Sequence, residues 1–131
     1  MRDNKNFVSR GHWFKDSAAP KGIVRVQFVL FCRDKPDPSL RLAARADHLD
    51  YIAAHQDEVI YGGPLIEEGK MIGSLFIYEL PDRSRLDRIF AEDPYFARDI
   101  FASVEIFESR WLVPERVPGT LKAEAELARR G

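Results

Sequence analysis

The chain has 131 residues, the size of a single domain, and 45% of them are hydrophobic and 31% charged, as in a chain that folds and stays soluble. Its 20 basic and 21 acidic residues leave a net charge of −1 with no basic stripe, which argues against nucleic-acid binding. No window is apolar for long enough to span a membrane, residues 1–20 lack the apolar segment of a secretory signal, and the single cysteine, Cys32, suits a reducing cytoplasm.

The chain begins with a polar segment, residues 1–22, which is predicted to be an irregular N-terminal arm. It contains three aromatic residues that could dock on the domain or on a partner chain: Phe7, Trp13 and Phe14. Residues 23–33 follow as the clearest strand, rich in β-branched and aromatic side chains. Residues 28–32 are apolar at every position, which predicts that both faces of the sheet are covered.

A helix is predicted from Pro38 or Ser39 to about residue 56. A rotation of about 100° per residue places four apolar side chains on one stripe that is predicted to face the core. These are Leu42, Ala46, Leu49 and Ala53. Arg45, His48 and Ile52 fall on one flank of this stripe, where side chains can face a cavity beside the core. The alternative is that Arg45 and His48 are ordinary half-exposed helix residues.

Three further strands and a second helix follow. A strand over residues 59–66 is predicted to break at Gly62, Gly63 and Pro64, where a bulge, a strand end near a ligand or a plain turn are all compatible with the residues. The next strand, residues 71–80, is apolar on both faces, and Gly73 and Ser74 are predicted to leave room beside the sheet.

The second helix is predicted to begin at the capping residue Ser84 and to end at Asp93, because the residue before Pro94 is pushed out of the helical region. Residues 95–99 are predicted to form a short connection. The last strand, residues 101–111, is predicted to point Ala102, Val104 and Ile106 one way and Phe101, Ser103, Glu105 and Phe107 the other.

The element order β-α-β-β-α-β predicts a ferredoxin-like α+β fold, a four-stranded antiparallel sheet with two helices on one face. The domain is predicted to span residues 23–111, with residues 112–131 as a C-terminal tail that contains a short helix. Two helices cover only one face of the sheet, whereas the strands are apolar on both. The simplest cover is a second copy of the sheet, which predicts a homodimeric α+β barrel.

The sequence has no phosphate-binding loop, no dinucleotide fingerprint and no His/Cys cluster. His48 and His55 are seven residues apart, which is too far along one helix to share a metal ion. No metal and no cofactor are therefore predicted.

The motif Arg45-x-x-His48-Leu49, followed by Gly63-Pro64, Gly73-Ser74 and Asp93-Pro94-Tyr95, resembles the YCII-related (YciI-like) family over residues 23–111. The resemblance implies a dimeric α+β barrel, similar to muconolactone isomerase, and a site built on a His–Asp pair, His48 and Asp93. One branch of the family removes chloride from chlorinated hydroxyquinols, and most of the family has no assigned substrate.

The function that follows from this resemblance is a cofactor-independent lyase or isomerase, dehydrochlorinase-like or muconolactone-isomerase-like, that acts on a small cyclic or phenolic compound. His48 would transfer protons, Asp93 would orient its imidazole, and Arg45 would hold a substrate carboxylate or phenolate. Three further residues are predicted to line or close the pocket: Gly63, Ser74 and Tyr95. Two alternatives remain open, a non-catalytic small-molecule-binding or assembly module with the same pocket and a cofactor-free oxygenase.

Overall fold

The computed structural model describes residues 7–10 and 25–131. Its strands are β1 (Phe7–Arg10), β2 (Val26–Asp34), β3 (Val59–Glu67), β4 (Lys70–Leu80) and β5 (Phe101–Ser109). Its helices are α1 (Pro38–Ala54), α2 (Arg83–Glu92), the short α3 (Pro94–Ala97) and α4 (Thr120–Arg129), with a 3₁₀ turn at Gln56–Glu58.

The strands form one sheet in the order β1-β5-β2-β4-β3. The four strands β5, β2, β4 and β3 are antiparallel neighbours, and β1 pairs in parallel with β5 at one edge. With α1 after β2 and α2 after β4, the order is β-α-β-β-α-β. The predicted ferredoxin-like α+β fold is therefore confirmed.

The prediction of an irregular arm is wrong for residues 7–10, because these residues hydrogen-bond to the otherwise open edge of β5. The ring of Phe7 packs against Phe90, with ring centroids 4.6 Å apart, and against Phe96. Trp13 and Phe14 lie outside the described residues.

The core lies between one face of the sheet and the helices. Strand residues on this face are fully buried and meet across the strands, with Phe28 opposite Tyr78 and Leu30 opposite Phe76. The helices add further buried side chains: Ala44, Leu86, Ile89, Tyr95 and Phe96. This packed face holds the first helix at a fixed position over the sheet.

The prediction for the buried face of α1 is wrong. Leu42 is 64% exposed and Leu49 is 44% exposed, and Ala46 and Ala53 are also exposed. The helix instead buries the face that carries Arg41, Ala44 and His48. Burial of two ionisable side chains is possible because each meets a carboxylate, which compensates for the lost solvation.

Strand β3 runs without interruption through the Gly62-Gly63-Pro64 triplet, contrary to the predicted break. Its register shifts lie on either side of the triplet. Gly73 also has a different role from the predicted one. A Cβ atom at Gly73 would lie 2.0 Å from the carbonyl oxygen of Cys32, so the glycine allows β2 and β4 to approach each other rather than leaving room for a ligand.

The chain around α2 and α3 also differs from its prediction. Helix α2 is capped by Asp82, whose side chain accepts a hydrogen bond from the Arg85 amide, and not by Ser84. The predicted connection at residues 95–99 is partly helical, as α3.

Strand β5 ends at Ser109, two residues earlier than predicted. Phe101 is buried, whereas Ala102 is exposed, because a register shift between β2 and β5 interrupts the alternation of side chains here.

The second face of the sheet carries no helix of the β-α-β-β-α-β unit. Its central residues alternate with the buried ones and are half-buried or exposed: Val29, Phe31, Leu75, Ile77 and Phe107. The tail reaches the sheet through the ion pair between Arg116 and Glu79 of β4, and Glu124 pairs with Arg110, which directly follows β5. The tail includes α4, the short helix that the sequence predicts.

Candidate functional site

A cavity of about 290 Å³ opens between α1 and the β3–β4 side of the sheet. Five of the six residues predicted for the site line it: Arg45, His48, Gly63, Ser74 and Tyr95. The sixth, Asp93, is fully buried and is hydrogen-bonded to His48. Residues from α1, β3, β4 and α3 thus meet around one space, although they are up to 50 positions apart in the chain.

His48 and Asp93 form the buried polar contact beside this cavity. Nδ1 of His48 lies 2.8 Å from Oδ1 and 3.1 Å from Oδ2 of Asp93. An ionised carboxylate can only accept a hydrogen bond, so the imidazole carries its hydrogen on Nδ1 in this contact. The Nε2 atom is then the ring nitrogen left for a ligand.

Asp93 is held by the backbone as well as by the imidazole. It ends α2 and begins α3, and its Oδ1 accepts a hydrogen bond of 3.0 Å from the amide of Tyr95. The carboxylate at the end of α2 is therefore also an N-cap, the helix position that favours negative charge. Asp-Pro thus serves both to stop one helix and to orient a carboxylate toward His48.

Two aromatic rings fix the plane of the imidazole. The Tyr95 ring is stacked on it, with centroids 3.7 Å apart and an interplanar angle of 8°. Phe76 meets it edge-on at 5.7 Å. Together with the Asp93 hydrogen bond, these contacts leave His48 with one orientation in the wall of the cavity.

Arg41, which the sequence interpretation missed, links several of these groups. Its Nε and Nη2 donate to the two oxygens of Asp34, at 2.7 and 2.9 Å, and Nη2 also donates to Ser74 Oγ at 2.7 Å. Its Nη1 donates to the Tyr95 hydroxyl at 3.3 Å. Burial is the largest single effect on the pKa of Arg41 and disfavours the charged guanidinium, but the hydrogen bonds and charge interactions with Asp34 and Tyr95 together outweigh it and hold that pKa above its usual value.

The hydroxyls of Tyr95 and Ser74 are both acceptors for Arg41, so each keeps its own hydrogen for a ligand. Burial raises the pKa of Tyr95, and the smaller opposing effect of Arg41 does not reverse this shift. Tyr95 is therefore a neutral phenol at physiological pH and a hydrogen-bond donor.

The mouth of the cavity is formed by Arg45 and by strand β3. Arg45 is exposed and makes no hydrogen bond or ion pair with any other residue that the structure describes. Tyr61, 49% exposed, lies beside Gly63, where an added Cβ atom would sit 3.1 Å from the tyrosine hydroxyl. Gly63 thus makes space for the Tyr61 side chain at the rim.

A sequence signal for Arg41 existed. It lies four residues before Arg45 and seven before His48, so helical periodicity alone places it on their flank of α1. Asp34 and Tyr61 carry no comparable signal, because only the folded sheet brings them to α1 and to the cavity.

Neither a metal cluster nor a membrane helix occurs in the described ranges, residues 7–10 and 25–131. Three His, Cys, Asp or Glu side chains never converge there as metal ligands would. The helices in the same ranges are also too short or too polar to cross a bilayer.

Comparison with known proteins gives two further findings. A family model for the YCII-related domain matches residues 26–110, about two thirds of the chain. The chain belongs to the YCII-related family. The residues that this family match covers include every residue that lines the cavity, from Arg41 to Tyr95, together with Asp34 and Asp93.

A solved structure similar to this YCII-related chain is 5-chloro-2-hydroxyhydroquinone dehydrochlorinase (TftG) from Burkholderia phenoliruptrix AC1100, in a complex with 2,5-dihydroxybenzoquinone. The two chains are 26% identical with a TM-score of 0.57, and the match covers 66% of this chain and 93% of the dehydrochlorinase. No curated protein sequence matches the chain.

Proposed function

We propose that this YCII-related chain is a cofactor-independent lyase or isomerase that acts on a small cyclic or phenolic compound. The observation that carries the proposal is the 2.8 Å contact between His48 Nδ1 and Asp93, with the imidazole in the wall of an open cavity. A His–Asp pair sealed inside the core would instead indicate a structural role.

His48 is the proposed acid–base group. With Nδ1 bonded to Asp93, Nε2 has a lone pair that removes a proton from a bound substrate. The imidazolium that forms is stabilised by the buried carboxylate, and Nε2 then returns the proton to the substrate or to the leaving group. Tyr95 and Asp93 keep the ring in place throughout.

The proposed substrate is a single-ring compound with an anionic or phenolic oxygen. The cavity volume is at the lower end of the range for small-molecule pockets, about 300 Å³. Arg45 supplies a positive charge at the mouth, and Ser74 and Tyr95 supply hydroxyl donors inside. The similar dehydrochlorinase is in a complex with 2,5-dihydroxybenzoquinone, which is a molecule of this class.

The alternative function is a small-molecule-binding or assembly module without turnover. The same cavity would serve, and the exposed Arg45 would act only in binding. The two functions differ in one property, since only the enzyme consumes its ligand.

The test is a panel of chlorinated hydroxyhydroquinones, other phenols and lactones, followed by absorbance and by mass spectrometry. We expect turnover of at least one compound and its loss, by about 10²–10⁴-fold, in His48→Ala. His55→Ala is the matched control, because His55 is the C-cap of the same helix, bonds to the Tyr51 carbonyl and does not line the cavity. Saturable binding without conversion of any compound would favour the binding module.

We further propose that the chain is a homodimer in the cytoplasm, with two sheets packed face to face in an α+β barrel. The support is the second sheet face, where apolar side chains such as Phe31 and Phe107 remain partly exposed. The single buried thiol of Cys32, whose pKa is raised by burial, suits a compartment in which disulfides are not used.

A further inference from the structure

A second cavity, of about 570 Å³, lies next to the first at the end where β2 leads into α1. Its wall is built from the end of β2, the following loop, the first turns of α1 and the start of β4. Arg41 and Met71 line both cavities, so they form the partition between them.

The second cavity is strongly cationic. Its lining holds one acidic residue, Asp34, and four basic residues: Arg33, Lys35, Arg41 and Lys70. Both carboxylate oxygens of Asp34 accept hydrogen bonds from Arg41, and Lys35 forms an ion pair with Asp99 at 2.8 Å.

Two of these cations remain without a partner. Arg33 and Lys70 are exposed, and the side chain of neither makes an ion pair or hydrogen bond with another residue in the described part of the chain. The carboxylates nearby in the sequence are absent from the lining: Asp37, which accepts hydrogen bonds from Ser39, and Glu67 and Glu68, which precede Lys70. The positive charge of Arg33 and Lys70 is thus available to a ligand.

The rest of the lining is apolar. Five residues contribute hydrocarbon surface between the cations: Pro36, Pro38, Leu42, Met71 and Ile72. Leu42 is 64% exposed and so presents its apolar side chain to this cavity. An inorganic anion would contact only the charged part of this wall, and a neutral apolar molecule would leave the charges without a partner.

We propose that this second cavity is a binding site for a small organic anion, a carboxylate with an apolar body. The carboxylate pairs with Arg33 and Lys70, and the body lies on Leu42, Met71 and Ile72. The site is separate from the proposed catalytic cavity and does not depend on turnover there. It shares with that cavity only the wall formed by Arg41 and Met71.

The test uses benzoate, its neutral analogue benzamide, and acetate, each titrated into ¹⁵N-labelled full-length protein. The amide signals of Lys35 and Ile72 report on the second cavity, and those of Gly62 and Gly63 report on the first. We expect saturable shifts at Lys35 and Ile72 with benzoate, and binding weaker by about fivefold or more with either benzamide or acetate.

Charge-removing variants assign the ligand to these side chains. We expect Arg33→Gln and Lys70→Gln each to weaken benzoate binding about threefold and the double variant about tenfold. These effects are modest because the ion pair of each cation with the benzoate carboxylate is partly exposed to solvent. Lys122→Gln, an exposed lysine on α4, is the control and should change nothing. Melting temperatures of all variants should equal that of the wild type, because neither replaced cation has a partner in the described fold.

His48→Ala separates this site from the proposed function. The shifts at Lys35 and Ile72 should be the same in this variant whether or not the protein is an enzyme. Equal affinity for benzoate and benzamide, equal affinity in the wild type and the double variant, or shifts confined to Gly62 and Gly63 would each overturn the proposal.

Discussion

Arg41 and His48 show how single residues specify the site. Both are ionisable and both are buried, and each is held by one carboxylate, Asp34 or Asp93. Removal of either carboxylate would leave a buried donor without its partner, which typically costs about 1–3 kcal/mol. The polar groups of the site are therefore part of what stabilises α1 on the sheet.

Asp93→Asn tests the pair at this scale. Asparagine keeps the size of the side chain and can still cap α3, so we expect the fold to be retained. The amide removes the negative charge and also offers a donor to Nδ1, so the imidazole no longer has one fixed tautomer. We expect turnover to fall by about 10²–10⁴-fold.

The imidazole ¹⁵N chemical shifts measure the tautomer directly, with or without a known substrate. We expect hydrogen on Nδ1 in the wild type and a mixture in Asp93→Asn. Asp82→Asn, the same change at the exposed cap of α2, is the control and should leave both the tautomer and turnover unchanged. An unaltered His48 tautomer in Asp93→Asn would show that the carboxylate does not set it.

At the scale of elements, the site depends on the hydrogen bonds and ion pairs that connect α1, α2 and the 3₁₀ turn before β3. Arg85 on α2 binds both oxygens of Glu58 in the 3₁₀ turn, at 2.6 Å each. Its Nη1 also donates a hydrogen bond to Glu92, which accepts a second hydrogen bond from the hydroxyl of Tyr51 on α1. Gln56 of the same 3₁₀ turn lines the first cavity, so this cluster supports the rim of the candidate site.

The Glu58–Arg85 pair predicts an acid-dependent loss of stability. The hydrogen bonds from Arg85 hold the pKa of Glu58 below its usual value, so the unfolded chain binds this proton more readily than the folded one. The stabilisation is complete above the unfolded pKa, about 4.3, and is lost as pH falls through the lower folded value.

We expect Glu58→Gln to lower the free energy of unfolding by about 1 kcal/mol at neutral pH and by less in acid. Urea unfolding at several pH values measures this difference. Glu126→Gln serves as the control, since Glu126 pairs with Arg129 on the exposed surface of α4. A Glu58→Gln deficit that stays constant down to the acid limit would contradict the assignment.

At the scale of the whole molecule, the sheet is covered asymmetrically. Its first face is buried under helices, and Phe31 on its second face is 44% exposed and contacts Phe107 edge-on at 6.0 Å. A second sheet packed on this face would remove the apolar surface from water on both copies.

Light scattering should therefore give about twice the chain mass of 15.1 kDa. A charge at the centre of the interface, Phe31→Glu, should shift the protein toward the monomer in a concentration-dependent manner. Leu127→Glu places the same charge at a 60% exposed leucine of α4 and should not change the mass. If the wild-type protein is a monomer by light scattering and still unfolds cooperatively, the proposed barrel dimer is wrong.

The sequence by itself determined the β-α-β-β-α-β order of the domain, the ferredoxin-like fold class and five of the residues that line the cavity. The period of the hydrophobic residues and the turn residues are local properties of the chain, so they can be recognised in the sequence without knowledge of the tertiary contacts. The resemblance to the YCII-related family likewise implied a pair of His48 and Asp93, whose 2.8 Å contact the structure contains.

Only the tertiary structure decided which face of α1 is buried, and how. The apolar stripe of Leu42 and Leu49 predicts burial by transfer free energy alone, yet the helix turns Arg41 and His48 inward. Their partners, Asp34 and Asp93, come from distant positions in the chain. Compensation of a buried charge depends on such long-range pairs, which no local pattern in the sequence encodes.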